Sequence, residues 1–224
     1  MLSGDTCFLF DVDNTLLDND RFGADLGARL EDDFGTVERE RYWRIFTRRR
    51  DELGYADYLG SLQVFRDEVR DHPRLLGMSE FLLGYPFPRL LYPEALAALA
   101  RARTLGRAAI LSDGDIVFQP RKIQRSGIWE AVDGRVLVYV HKERSLANLQ
   151  ERYPASHYVM VDDKANLLAA TKLILGSKVT TVFVRQGHYA SAAASLSAQP
   201  APDLTVDHIG DLVYRQLSDF EVST

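Results

Sequence analysis

"FLFDVDNTLLDND", residues 8–20, is an apolar run that stops on two aspartates, Asp11 and Asp13. Alternate side chains of a strand share a face, so both carboxylates point the same way at the end of the run. Either a polar strand end meets solvent here, or a site concentrates negative charge. The rest of the chain decides between the two.

Similar short runs recur: "TCFLFDV" (6–12) itself, "RAAILS" (107–112), "RVLVYV" (135–140), "HYVMVD" (157–162), "VTTVFV" (179–184) and, more weakly, "DLTV" (203–206). Apolar runs without alternation suit strands covered on both faces, hence a parallel sheet. The segments between them read as helices. "PEALAALARARTLG" places Pro93 at the first helical position and Gly106 just past the end, and "KANLLAATKLILG" stops on Gly176. The fold class is therefore α/β, a Rossmann-like parallel sheet.

One interval breaks the rhythm. From about residue 18 to residue 90 only helical periodicity is visible: Phe22, Leu26 and Leu30, then Tyr58, Leu62, Phe65 and Val69. Gly35, Gly54 and "DHP" (71–73) separate these segments, and "GYPFPRLLYP" (84–93) reads as a stiff connector. The expected organisation is a core of residues 1–17 and 90–224, with a helical module of residues 18–89 inserted after the first strand. Residues 190–203, "ASAAASLSAQPAPD", read as a loop or a loosely held helix end.

At 224 residues, 46% hydrophobic and 26% charged, the chain has the makeup of an ordinary globular protein. A net charge of -5 gives no support for binding nucleic acid or an anionic membrane surface. The sole cysteine, Cys7, has no partner for an intramolecular disulfide, which suits a reducing compartment; inside an apolar run it reads as a packed small hydrophobe. No leader-like segment and no run of about 18 apolar residues is present, so a cytoplasmic, soluble protein is expected.

Ligands of a parallel α/β sheet bind outside the carboxyl ends of its strands. Those ends carry Asp11, Asp13 and Thr15; Ser112, Asp113, Gly114 and Asp115; His141 and Lys142; and Asp162, Asp163 and Lys164. Four crowded carboxylates repel one another, and a hard divalent cation with oxygen ligands, magnesium (Mg2+), relieves that cost. Magnesium keeps waters and binds substrate phosphate. Ser112 as a donor, Lys142 as a point charge and the small Gly114, open to close approach of an anion, would complete a phosphate site. Each signal is weak alone. Their weight comes from occurring in order, each at the end of its own strand.

In this arrangement the chain resembles the haloacid dehalogenase superfamily of phosphohydrolases. "DVDNT" (11–15), "LSDGD" (111–115), Lys142 and "VDDK" (161–164) look like its four motifs, and the insert lies where the family's C1-type cap is placed. By that resemblance Asp11 is the nucleophile that forms an aspartyl-phosphate and Asp13 the general acid and base. Lys142 offsets charge, and Thr15, Ser112, Asp113, Gly114 and Lys142 surround the phosphoryl group. Magnesium is held by Asp11, by Asp13 through its backbone carbonyl, and by Asp163, with Asp162 bound directly or through water. The dehalogenase branch lacks the second aspartate, because displacing halide needs no general acid, so Asp13 argues for phosphoryl chemistry.

Other residues take blander readings: His141 and His188 as packing or turn residues, "TRRR" (47–50) as a solvated helix face, and Tyr42, Trp43, Phe46, Tyr55 and Tyr58 as the insert's own core. Arg21 and Phe22 are candidates for the site entrance. The expected activity is magnesium-dependent hydrolysis of a small phosphomonoester, with a small phosphorylated molecule as partner rather than a nucleic acid or a membrane. A phosphomutase or phosphotransferase would hand on the same aspartyl-phosphate, and a non-catalytic phosphate-binding module would keep the pocket without the chemistry.

Overall fold

Strand β1 (Thr6–Phe10) is buried at every position because both faces of it are covered. Phe8 and Phe10 pack into one hydrophobic cluster, and Cys7 and Leu9 into another on the opposite face. The computed structural model of the chain describes residues 5–70, 72–190 and 197–220. Asp71 of the "DHP" separator and residues 191–196 of the small, polar stretch lie outside the described residues.

The remaining strands are β2 (Arg107–Asp113), β3 (Val136–Tyr139), β4 (His157–Asp162), β5 (Val179–Val184) and β6 (Leu204–Val206). All pair in parallel, in the order β3-β2-β1-β4-β5-β6. β1 is thus flanked by β2 on one side and β4 on the other. The chain winds outward in both directions from it, and the crevice at its carboxyl end is where such sheets bind ligands.

Four helices follow β1 first: α1 (Asn19–Phe34), α2 (Thr36–Leu53), α3 (Tyr58–Glu68) and α4 (Leu75–Gly84). A 3-10 turn, Phe87–Leu90, then leads to α5 (Ala95–Leu105). The chain leaves and re-enters the sheet region through a two-segment stem. Asp18 N–H donates to Leu90 O at 2.7 Å, Tyr92 N–H donates to Leu16 O at 3.0 Å, and Leu17 bridges Leu91 antiparallel. Beyond β2 come α6 (Phe118–Arg125), α7 (Ile128–Ala131), α8 (Leu146–Arg152), α9 (Ala165–Leu175) and α10 (Gly187–Ala190).

Three local expectations change. β1 stops at Phe10 rather than residue 12, because the Val12 carbonyl accepts from the amides of Thr15, Leu16 and Leu17 and turns the chain away. Pro93 sits before α5 rather than at its first position, since Glu94 caps that helix in the left-handed region, φ 61°. Gly106 does end α5, but its φ of 179° is ordinary extended backbone. What it needs is space: a Cβ there would lie 2.4 Å from Thr6 O.

Phe22 ties the insert to the core. It is fully buried, with ring centroids 5.1 Å from Tyr58, 5.0 Å from Tyr85 and 5.7 Å from Phe118 on α6. It is therefore an anchor and not an entrance residue, while Arg21 is exposed and faces Arg89 O at 3.5 Å. Cys7 is buried, and burial pushes its thiol up to about 11, as befits a packing residue. No helix among the described residues is long and apolar enough to cross a membrane. Replacing Phe22 by Ala is expected to cost about 3–5 kcal/mol of stability, read as a lower urea midpoint.

Candidate active site

Asp11 follows β1 directly and stays in register with the sheet, its N–H donating to Val161 O at 3.0 Å. Its carboxylate is only 4% exposed. Lys142 Nζ donates to one of its oxygens and Thr15 Oγ1 to the other, the latter at 3.3 Å. Lys142 opens the 3-10 turn Lys142–Arg144 after β3, and its side chain is wholly buried. Its ammonium also lies 2.7 Å from Asp162 Oδ2, and its backbone N–H donates to Asp113 Oδ1 at 2.7 Å. Burial works against the ammonium, but Asp11, Asp162 and Asp113 outweigh it and hold Lys142 charged well above the usual lysine range.

Asp162 ends β4 and Asp163 follows it, both fully buried. Oxygen atoms of Asp11, Asp162 and Asp163 lie within 4.8 Å of one another. Burial first, then the neighbouring carboxylates, pushes both Asp162 and Asp163 up from the ordinary carboxylate range. Asp162 is already engaged, by Lys142 and by Lys164 N–H at 2.8 Å. Among the described residues, neither oxygen of Asp163 has a hydrogen-bond partner. A buried carboxylate without a donor is costly, and an all-oxygen cluster fits a hard cation such as magnesium. Asp163 is the acid with both oxygens available to one.

The Asp13 carboxylate points elsewhere and is not part of that cluster. Its oxygens accept from Lys122 Nζ and, at 3.3 Å, from Gln119 Nε2. Both donors come from α6, one turn apart, and Lys122 is buried. Gln119 also donates to Ser112 Oγ at 2.9 Å, so one amide spans the second motif and Asp13.

Other candidates fall where their chemistry differs from expectation. Thr15 is fully buried beneath Asp11 and orients the carboxylate rather than lining the cleft. Asp113 supports the Lys142 backbone, and burial, tempered by Lys142, raises its carboxyl to about 6. Gly114 is not free to offer its amide to an anion, since its N–H donates to Tyr139 O at 2.9 Å. A glycine stands there because φ is +159° and a Cβ would lie 2.8 Å from the Gln119 side chain.

Above these groups lies a cleft of about 410 Å3, floored by Asp13, Asp113 and Lys164 and walled by Trp43, Arg50 and Tyr55 of the insert. Arg50 is thus not simply part of a solvated face, and Tyr55 borders the cleft instead of the insert's core. His188 also lines it: its Nδ1 lies 2.5 Å from Asp20 Oδ1, and its N–H donates to Asp20 Oδ2 at 2.8 Å. That contact links α10 to α1. A larger open groove of about 1350 Å3 runs between α1 and α2 but contains none of the site carboxylates.

No protein-family profile matches the chain, and no curated protein sequence matches it. Solved structures do. One from Burkholderia xenovorans LB400, assigned as a haloacid dehalogenase-like hydrolase, is 56% identical with a TM-score of 0.89, over 95% of this chain and 99% of that one. The L-2-haloacid dehalogenase of Xanthobacter autotrophicus, solved with chloropropionic acid covalently bound, has a TM-score of 0.61 at 18% identity, over 92% of this chain and 96% of that one. YfnB of Bacillus subtilis, assigned as a HAD-hydrolase and solved with magnesium, has a TM-score of 0.59 at 16% identity, over 92% of this chain and 96% of that one. At such identities the last two share the fold alone.

Magnesium at about a hundred times its dissociation constant is expected to add about 2.7 kcal/mol to stability, seen as a higher unfolding midpoint at pH 8. Asp163→Asn removes a carboxylate ligand from the cluster and should shrink the gain from magnesium.

Proposed function

The chain belongs to the haloacid dehalogenase-like hydrolases, and from that membership we propose a magnesium-dependent phosphatase that cleaves a small phosphomonoester through an aspartyl-phosphate on Asp11. The observation that carries the proposal is the pairing of a buried Asp11 with an Asp13 that faces the cleft two residues on. Displacing an alkoxide calls for a proton donor beside the nucleophile, and Asp13 stands in that place.

Asp11, Asp163 and the Asp13 carbonyl would hold magnesium, which supplies a positive charge between the nucleophile and the phosphoryl oxygens. A carboxylate oxygen of Asp11 bonds to phosphorus as the bond to the leaving oxygen breaks. The electron pair stays on that oxygen, which takes a proton from the Asp13 carboxyl. Asp13, now a carboxylate, draws a proton from water whose oxygen bonds to phosphorus. The bond to Asp11 breaks, and free phosphate leaves. Lys142 and Thr15 keep the Asp11 carboxylate in one orientation throughout, and the Ser112 hydroxyl would donate a hydrogen bond to a phosphoryl oxygen.

The insert would act as a cap over this site. Trp43, Arg50 and Tyr55 bound the volume left for the leaving group, and about 410 Å3 suits a small metabolite rather than a phosphoprotein. Excluding water strengthens every charge interaction inside the cleft.

The test is phosphate release from a broad panel of phosphorylated metabolites with magnesium, with 2-chloropropionate alongside. Steady phosphate release that EDTA abolishes is expected. Halide release instead would move the protein to the dehalogenase branch, and transfer of phosphate without net release would make it a mutase. Asp11→Asn should lower turnover by about 10^4-fold or more. Asp13→Asn should cost about 10^2–10^4-fold with alkyl phosphates. The loss should be smaller with p-nitrophenyl phosphate, whose leaving group needs no proton.

A further inference from the structure

Three lysines meet the acidic residues at this sheet edge, and two of them are already committed. Lys142 is paired with Asp11 and Asp162, and Lys122 with Asp13. Lys164 is different. Among the described residues its ammonium has no ion pair within 4.0 Å, yet it borders the cleft beside Asp13 and Asp113.

Its backbone leaves little freedom in where the side chain starts. The N–H donates to Asp162 Oδ1 at 2.8 Å, and the carbonyl accepts from Leu167 and Leu168 at the start of α9. The ammonium then rests over the Tyr189 ring, 5.2 Å from its centroid, and Tyr189 lines the same cleft. This contact is a weaker hold than an ion pair. A strong anion arriving in the cleft competes with it easily.

Lys142 and Lys122 are held in ion pairs, while Lys164 borders the cleft.

We propose that Lys164 is a catalytic residue whose ammonium binds a nonbridging oxygen of the phosphoryl group while Asp11 attacks. The proposal rests on the phosphatase reading and adds a second cation to it, distinct from Lys142. Negative charge on the equatorial oxygens is what such a group stabilises. A purely structural lysine, there only to counter Asp162 and Asp163, would bind no substrate.

Lys164→Met, Lys164→Gln and Lys164→Arg separate these roles, with inorganic phosphate as the binding probe on magnesium-loaded protein. The expected result for Lys164→Met is a fall in kcat/KM of about 10^2–10^3-fold, with phosphate binding at least about tenfold weaker. Magnesium affinity should be retained or increased, because a nearby positive charge is gone. Lys164→Arg should restore most of the phosphate binding. Lys164→Gln guards against a packing defect in the methionine variant and should behave like it. Wild-type phosphate binding in both neutral variants overturns the proposal, as does a loss confined to stability and magnesium affinity. If the wild type hydrolyses no phosphomonoester but loses phosphate binding with Lys164, the phosphatase reading fails while the anion site stands.

Discussion

One buried ammonium organises the ligand edge of the sheet. Lys142, without solvent contact, shares its charge between Asp11 after β1 and Asp162 at the end of β4 and anchors its own amide on Asp113 of β2. An ion taken out of water costs several kcal/mol unless well paired, and stripping one partner from such a pair costs about 3–5 kcal/mol. One side chain therefore ties the ends of β1 and β4, and the backbone of the same residue ties in β2. The same ammonium makes the crowding of Asp11 and Asp162 tolerable, while among the described residues the Asp163 carboxylate has no hydrogen-bond partner.

The fold was legible because burial on both faces leaves continuous apolar runs. The runs at 157–162 and 179–184 coincide with β4 and β5. Strand ends could then be read for chemistry, since topology alone brings them to one edge. Residues on helices were harder. Gln119 and Lys122 carry the Asp13 contacts, yet their role depends on how α6 packs. A signal does exist: both share the buried face of α6 with Phe118 and Ile123, where a lysine has no reason to lie unless it meets a charge. His188 and Arg50 carried no such mark, because their placement depends on how α10 and α2 sit against α1.

The wall of the cleft and Asp13 are joined through α6. Phe22 of α1 packs on Phe118 of α6, and one turn along α6 Lys122 grips Asp13. Arg121 and Arg125 of the same helix donate to the carbonyls of Leu83 and Gly84 at the end of α4. One short helix thus touches both the insert and Asp13.

The insert meets the sheet region through the stem at residues 16–18 and 90–92, where the outgoing and returning chains run antiparallel. Paired segments of that kind keep their Cα atoms about 5 Å apart whatever lies beyond them. The stem therefore asks of the intervening sequence that its two ends come together, while Phe22, Leu83 and Gly84 add contacts of their own to α6.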